Sequence, residues 1–220
     1  MAESPIVILR KYTRALSTAL GMRDDSTLRH SDRVQGLAQQ LGTRCGLDEY
    51  SLGILEVAAS FHDIGKIGVR DSILMKPAKL DEDEWVEMRQ HCDMGARIMD
   101  ATGLEGATEA ARAIRHHHEH YDGSGYPDGL AGEAIPLLSR IISVVDGYDA
   151  MAVTRAYHRG RTHDAVIDVL QRETGGKYDP RLMAMFCELI ETSEYRVRDS
   201  AVPHAATSGA EVMSEALRAD

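Results

Sequence analysis

A chain of 220 residues with 43% apolar side chains is long enough for one large domain or two small ones and rich enough to fill a core. Its formal charge of -10, from 35 acidic against 25 basic residues, argues against a broad surface for polymeric nucleic acid, which needs clustered lysine and arginine. No window approaches the roughly 18 consecutive apolar residues of a membrane span, and the early PIVIL run meets Arg10 and Lys11 without a cleavage pattern; a cytoplasmic protein with no membrane association is expected.

Helical spacing runs through nearly the whole chain. Pro5 to Met22 carries Ile6, Leu9, Thr13, Leu16 and Leu20 near one face, which suits a dimerisation or input helix, or a helix packed on the bundle. Val34, Leu37, Ala38 and Leu41 fall at i, i+3, i+4 and i+7, and Leu52, Leu55, Ala59 and His62 line one face of the next segment. Gly65 to Leu80, with Pro77, reads as a long connection, and its KIGV run is too brief to build a sheet. Asp81 with Glu84 marks a capped start for a helix carrying Trp85, Met88 and Cys92, then Ile98 and Met99. Gly123, Gly125, Gly129 and Gly132 exclude a helix from 122 to 132. Pro136 opens LLSRIISVVDGYDAM, and Asp179 with Pro180 caps a helix with Leu182, Met185, Phe186 and Leu189. The expectation is an all-α bundle of roughly seven to nine helices. Its parts are an N-terminal helix at 1–23, the main domain at 24–198 and a small, polar tail at 199–220. The span before Asp24 is too short for a receiver-type input domain, which points to a stand-alone protein or an output domain cut from a longer one.

The residues able to hold a metal are unevenly distributed. FHDIGK places His62 and Lys66 one helical turn apart with Asp63 beside them, so that one imidazole and one carboxylate can reach a common point. A carboxylate can bridge two cations, which an imidazole cannot. His30 opens a helix in RHSDRV, and His91 lies in MRQHCDMG. His117 and His118 follow Ile114 at i+3 and i+4 and extend its buried face, while Asp146 lies on the stripe of Leu138, Ile142 and Val145, where an unpaired carboxylate is costly. Any one of these alone reads as an ordinary surface or hydrogen-bonded core residue. Cys45, Cys92 and Cys187 form neither a disulfide framework nor a CxxC site and read as reduced core fillers, Cys92 beside His91 included.

Taken in order, the early His, HDIGK, MRxH, HHExxDGSGYP and a late Asp resemble the HD-GYP subgroup of the HD metallophosphohydrolase superfamily, over residues 24–190. HDIGKIGV and DGSGYPDGL are long, nearly unbroken matches; a lone HD dipeptide would mean little. The resemblance implies metal ligands at His30, His62, Asp63, His91, His117, His118 and Asp146. A partition follows with His30, His62 and Asp146 on one ion, His91, His117 and His118 on the other, and Asp63 between them. Iron or manganese is the implied pair, and zinc, nickel or magnesium suit the same donors. Some members hold a third ion through a glutamate one turn before the first histidine; here Ser26 fills that slot, with Asp24 and Asp25 nearby, so two ions are expected.

The implied activity is hydrolysis of cyclic di-GMP to pGpG, and onward to GMP, by a metal-bridging hydroxide, with Asp63 and Lys66 as catalytic residues. Asp24, Gly125, Tyr126, Arg155 and His158 form the implied substrate-binding set. Glycines let the loop backbone approach a ligand, Tyr126 offers a hydroxyl and a ring, and Arg155 clamps phosphate. His116 and His120 need not be ligands. The segment TRAYHRG departs from the family's pattern by placing His158 where a cation usually stands, which keeps another cyclic dinucleotide open as substrate. A non-catalytic signalling domain, binding a protein partner through the GYP surface or pairing as a homodimer, is the other reading.

Overall fold

The computed structural model describes residues 5–23, 25–152 and 161–197, with the side chains of 20, 23 and 25–28 left aside. In chain order the α-helical segments are α1 Pro5–Arg23, α2 Asp25–Arg44, α3 Glu49–Phe61, α4 Asp71–Leu74, α5 Glu82–Arg89, α6 His91–Asp100, α7 Ala107–Arg115, α8 Leu137–Ala152, α9 His163–Arg172 and α10 Pro180–Ile190. Setting aside the single turn α4, nine remain of these ten described segments. Among the described residues no β-strand occurs, only an isolated bridge between Thr174 and Tyr178. The all-α expectation holds.

The core is built on α2 and α8. Val34, Leu37, Ala38 and Leu41 of the first, and Ile141, Ile142, Val144, Val145 and Tyr148 of the second, are all almost wholly buried and belong to one apolar cluster. Burial of each large side chain contributes roughly 1.5–3 kcal/mol. Leu55, Ala58, Ala59 and Phe61 of α3 join them from one side, and Leu182 and Phe186 of α10 from another. α1 packs on α2 and α3 through buried Leu9, with Ile6 lying over Gly53.

Caps fix where these helices start. Asp81 and Glu84 form a reciprocal capping box at α5. Asp179 accepts from the amides of Arg181 and Leu182 with Pro180 in the first turn of α10, and its other oxygen takes Arg140 Nη1 at 2.5 Å.

Four boundaries differ from the sequence reading. α2 begins at Asp25, so His30 sits inside the helix instead of opening it. Residues 65–80 are partly helical, holding a 3₁₀ turn at Ile64–Gly68 and then α4. The helix expected from Asp81 through Met99 divides at Gln90, whose amide bonds back to Glu87 in a tightened last turn; Trp85 and Val86 of α5 then face solvent, while α6 turns inward. α7 ends at Arg115, and His117 and His118 come from the turn that follows it.

The 3₁₀ turn lies directly against the start of α6. A methyl group at Gly65 would stand 1.9 Å from the His91 carbonyl oxygen and 2.6 Å from the Gly95 amide nitrogen, both of them main chain and unable to swing aside. Gly65→Ala is therefore expected to force the turn off α6 at a cost of about 1–3 kcal/mol in urea unfolding, and to weaken divalent-metal binding beside it.

Candidate metal centre

Three helix ends deliver three histidines. His62 caps α3 and its Nδ1 lies 2.7 Å from the Ala59 carbonyl. His91, just past α5, places Nδ1 2.8 Å from the Met88 carbonyl, and His117, just past α7, places it 2.6 Å from that of Ile114. A carbonyl only accepts, so each Nδ1 carries the proton and each Nε2 is left as the lone-pair nitrogen. In each case the proton goes to a carbonyl of the helix's last turn, that of Met88 also taking the Gln90 amide.

Those Nε2 atoms point toward one another. The Nε2 atoms of His62 and His117 are buried with no hydrogen-bond partner among the described residues, a burden of about 1–3 kcal/mol each if nothing completes them. Asp63 lies between the groups: Oδ2 is 3.6 Å from His62 Nε2 and accepts Lys66 Nζ at 2.6 Å, while Oδ1 is 3.7 Å from His91 Nε2. Asp146 Oδ1, from α8, is 3.1 Å from His30 Nε2 and 3.9 Å from His62 Nε2. His117 and His118 rings stand 4.0 Å apart, with His91 5.2 Å from His118. Two donor sets result, His30 with His62 and Asp63, and His91 with Cys92, His117 and His118; within each set the donor atoms lie within 4.8 Å of one another. Orphaned imidazole nitrogens facing carboxylate oxygens fit divalent metal ions.

Burial and charge set the protonation here. Burial, aided by the neighbouring imidazoles, holds His117 well below the usual histidine range and takes His118 down to about 3. Burial also lowers His91. Burial opposes the ionised forms of Asp63 and Asp146, yet Lys66, His62, His91 and His30 overcome it at Asp63, and His30, His62 and His118 at Asp146, so both stay well below the usual carboxylate range. At His30 burial is outweighed by the bonds to Asp146 and Asp149, and the imidazole is pushed up to about 9.

Several contributors escaped the sequence reading. Asp149, one turn beyond Asp146, bonds His30 Nδ1 at 2.7 Å and receives Arg33 Nε at 2.6 Å and Nη2 at 2.9 Å. The i, i+3 pairs His30/Arg33 and Asp146/Asp149 were the available signal. Glu119, buried within HHEH, accepts the amides of Asp128 at 2.7 Å and Leu130 at 3.1 Å and so ties down the glycine-rich loop. His116 and Arg115 hold the same loop through Asp128, whereas His120 bonds Ser124. Gly125 is needed for the loop's own closure, since a methyl there would lie 2.2 Å from the His120 amide nitrogen. Tyr126 stacks at 5.0 Å from His118, and Arg89 stands 5.3 Å over the outer part of this site, above the Tyr126 ring. Asp24, Arg155 and His158 lie outside the described residues, as do the side chains of Asp25 and Ser26.

A model of the HD domain matches residues 14–182. The chain belongs to the HD domain family. It is 40% identical over 172 residues to the cyclic di-GMP phosphodiesterase response regulator RpfG of Xanthomonas campestris, covering 78% of this chain and 46% of that protein. Against the 3'3'-cGAMP-specific phosphodiesterase 2 of Vibrio cholerae it is 34% identical over 173 residues, covering 79% and 33%. Among HD domain folds, the crystal structure of a cyclic GMP-AMP specific phosphodiesterase of V. cholerae, V-cGAP3, superposes with a TM-score of 0.66 at 21% identity, over 85% of this chain and 50% of that one. The chain thus spans half or less of the length of these relatives. Among the described residues no helix is long and apolar enough to cross a membrane.

Because Asp149 fixes both the tautomer and the orientation of His30, Asp149→Ala should lower metal affinity about 10–100-fold in calorimetric titration with Mn(II). Stability should fall as well, since Arg33 and His30 lose a buried partner.

Proposed function

We propose that this HD domain hydrolyses cyclic di-GMP at a dinuclear divalent-metal centre, releasing pGpG and then GMP. The observation that carries the reading is the two-sided placement of Asp63, one oxygen toward each donor set, with buried Nε2 atoms unsatisfied beside it. His30, His62 and Asp146 hold one ion, His91, His117 and His118 the other, and Asp63 serves both. Iron or manganese suits this mixture of imidazole and carboxylate. When bound, the ions supply Lewis acidity to the phosphoryl oxygens and make hydroxide available near neutral pH.

The protein's own groups do the rest. Lys66 Nζ, held at the Asp63 carboxylate and partly open to solvent, would donate to the 3′ oxygen that departs as the P–O3′ bond breaks. Tyr126, packed at 5.0 Å from His118, brings its ring and hydroxyl to the edge of the donor cluster, where a guanine would dock. Arg89, stacked over the Tyr126 ring, places a planar cation at that rim, where a phosphate or a guanine edge can take it in a two-pronged bond. Glu119 positions the loop that presents Tyr126.

The test is hydrolysis of cyclic di-GMP by protein purified without oxygen, with metal content measured on the same sample. Turnover with about two ions per chain is expected. Lys66→Ala should keep the metal and lose turnover, while Asp63→Ala should lose both. Cyclic dinucleotide bound but uncut by metal-loaded wild-type protein would overturn the enzyme reading in favour of a receptor or adaptor. Similarity to a 3'3'-cGAMP-specific enzyme makes that dinucleotide the second substrate to assay.

Arg89→Ala should raise KM for the dinucleotide about tenfold or more, the scale of one hydrogen bond to a charged group, with a smaller change in kcat. An unchanged KM would remove Arg89 from the substrate site.

A further inference from the structure

The helix turn that carries His91 also carries a thiol. Cys92 is fully buried, yet it is absent from the main apolar cluster that holds the other large buried side chains of α6 and α7. Its Sγ lies 3.5 Å from His91 Nε2, and it falls within 4.8 Å of the donor atoms of His117 and His118. His117 is itself fully buried, and its Nε2 has no hydrogen-bond partner among the described residues. Two donors at metal–nitrogen and metal–sulfur distances of about 2.1 and 2.3 Å stand about 3.6 Å apart when they subtend an angle of about 110° at one ion. The Cys92–His91 spacing matches that separation.

We propose that Cys92 is a thiolate ligand of the ion held by His91, His117 and His118, giving that half of the centre a sulfur donor that the half built on His30, His62 and Asp146 lacks. The proposal rests on the dinuclear reading above and refines it. Binding replaces the thiol proton by the metal, and the proton leaves to solvent. The two halves then differ in chemistry. Asp63 faces both halves; beside it, three imidazole nitrogens and one thiolate sulfur favour softer ions such as Zn(II), Fe(II) or Co(II) over Mn(II) and Mg(II), whereas the half that adds Asp146 takes harder ones. A mixed-metal centre follows, with the sulfur side the tighter for zinc and the first to be damaged by oxidants.

Cobalt reports on this directly. The full chain, stripped of metal and reloaded anaerobically with Co(II), is expected to show an intense near-ultraviolet thiolate-to-cobalt charge-transfer band in addition to the weak visible bands of nitrogen- and oxygen-bound cobalt. Cys92→Ser should abolish the charge-transfer band and keep cobalt at the other half, while the Cys45→Ser/Cys187→Ser double variant should retain the band. Cobalt bound to the wild-type protein with visible bands but no charge-transfer absorption would overturn thiolate ligation and leave the dinuclear centre standing, with the 3.5 Å contact as an S–H···N hydrogen bond. No cobalt bound at all would overturn both. Because the wild-type spectrum decides the matter, a misfolded Cys92→Ser variant does not rescue the proposal.

Discussion

The structure depends on how its helices end. The last carbonyls of an α-helix lose their regular i+4 amide partners, and at the ends of α3, α5 and α7 one last-turn carbonyl takes the Nδ1 proton of a histidine three residues further on. One bond does two things: it closes the helix end and it fixes the tautomer, so that every one of these rings turns a bare Nε2 inward. The bundle's topology brings the three ends together, because the turn after α3 packs on the start of α6, and α6 packs on α7. Gly65 permits the first of these contacts by main-chain approach. The donors are aimed by the backbone, and only then by their neighbours.

Electrostatics follow from that placement. Burial keeps His91, His117 and His118 neutral, so they present lone pairs to a cation and do not repel it. Asp63 and Asp146 stay ionised, held down by the charges facing them. Divalent ions in this cluster would exceed the two carboxylate charges, and Lys66 adds to the same sign. A chain with a formal charge of -10 would thereby gain a local positive field, with no basic surface needed. Arg89 extends the field to the rim without competing for the metal ligands.

Much of this was legible in the sequence, and the reasons are physical. Apolar spacing revealed α2, α3, α8 and α10 because these helices bury one strongly apolar stripe each, and the caps at Asp81 and Asp179 are local chemistry. The cluster of donor side chains was legible in large part because several of its motifs are contiguous: HD, MRxH and HHE carry neighbouring residues to neighbouring points. What stayed hidden depends on long-range pairing or on short-range irregularity. Asp149 finds its role only when α8 meets α2 across 116 to 119 residues of chain. The break at Gln90 turns on one tightened turn, and no periodicity reports that. Cys92 is buried, as a core filler is expected to be, but the approach of its three histidine neighbours appears only in the folded chain.

The same geometry makes the centre part of the fold's energetics. Asp63 and Asp146 are paired with Lys66 and His30, whereas the orphaned nitrogens at His62 and His117 are burdens that no group among the described residues relieves. Any ion that binds the native arrangement and not the unfolded chain relieves them and adds stability by mass action, about 2.7 kcal/mol at a free concentration one hundred times its Kd. The histidines come from helix ends that are only correctly spaced in the folded bundle, so the unfolded chain offers no comparable site. Ligation and packing therefore reinforce each other: the core formed by α2, α3 and α8 sets the distances among the donors, and a bound metal would in turn tie together the ends of α3, α5 and α7.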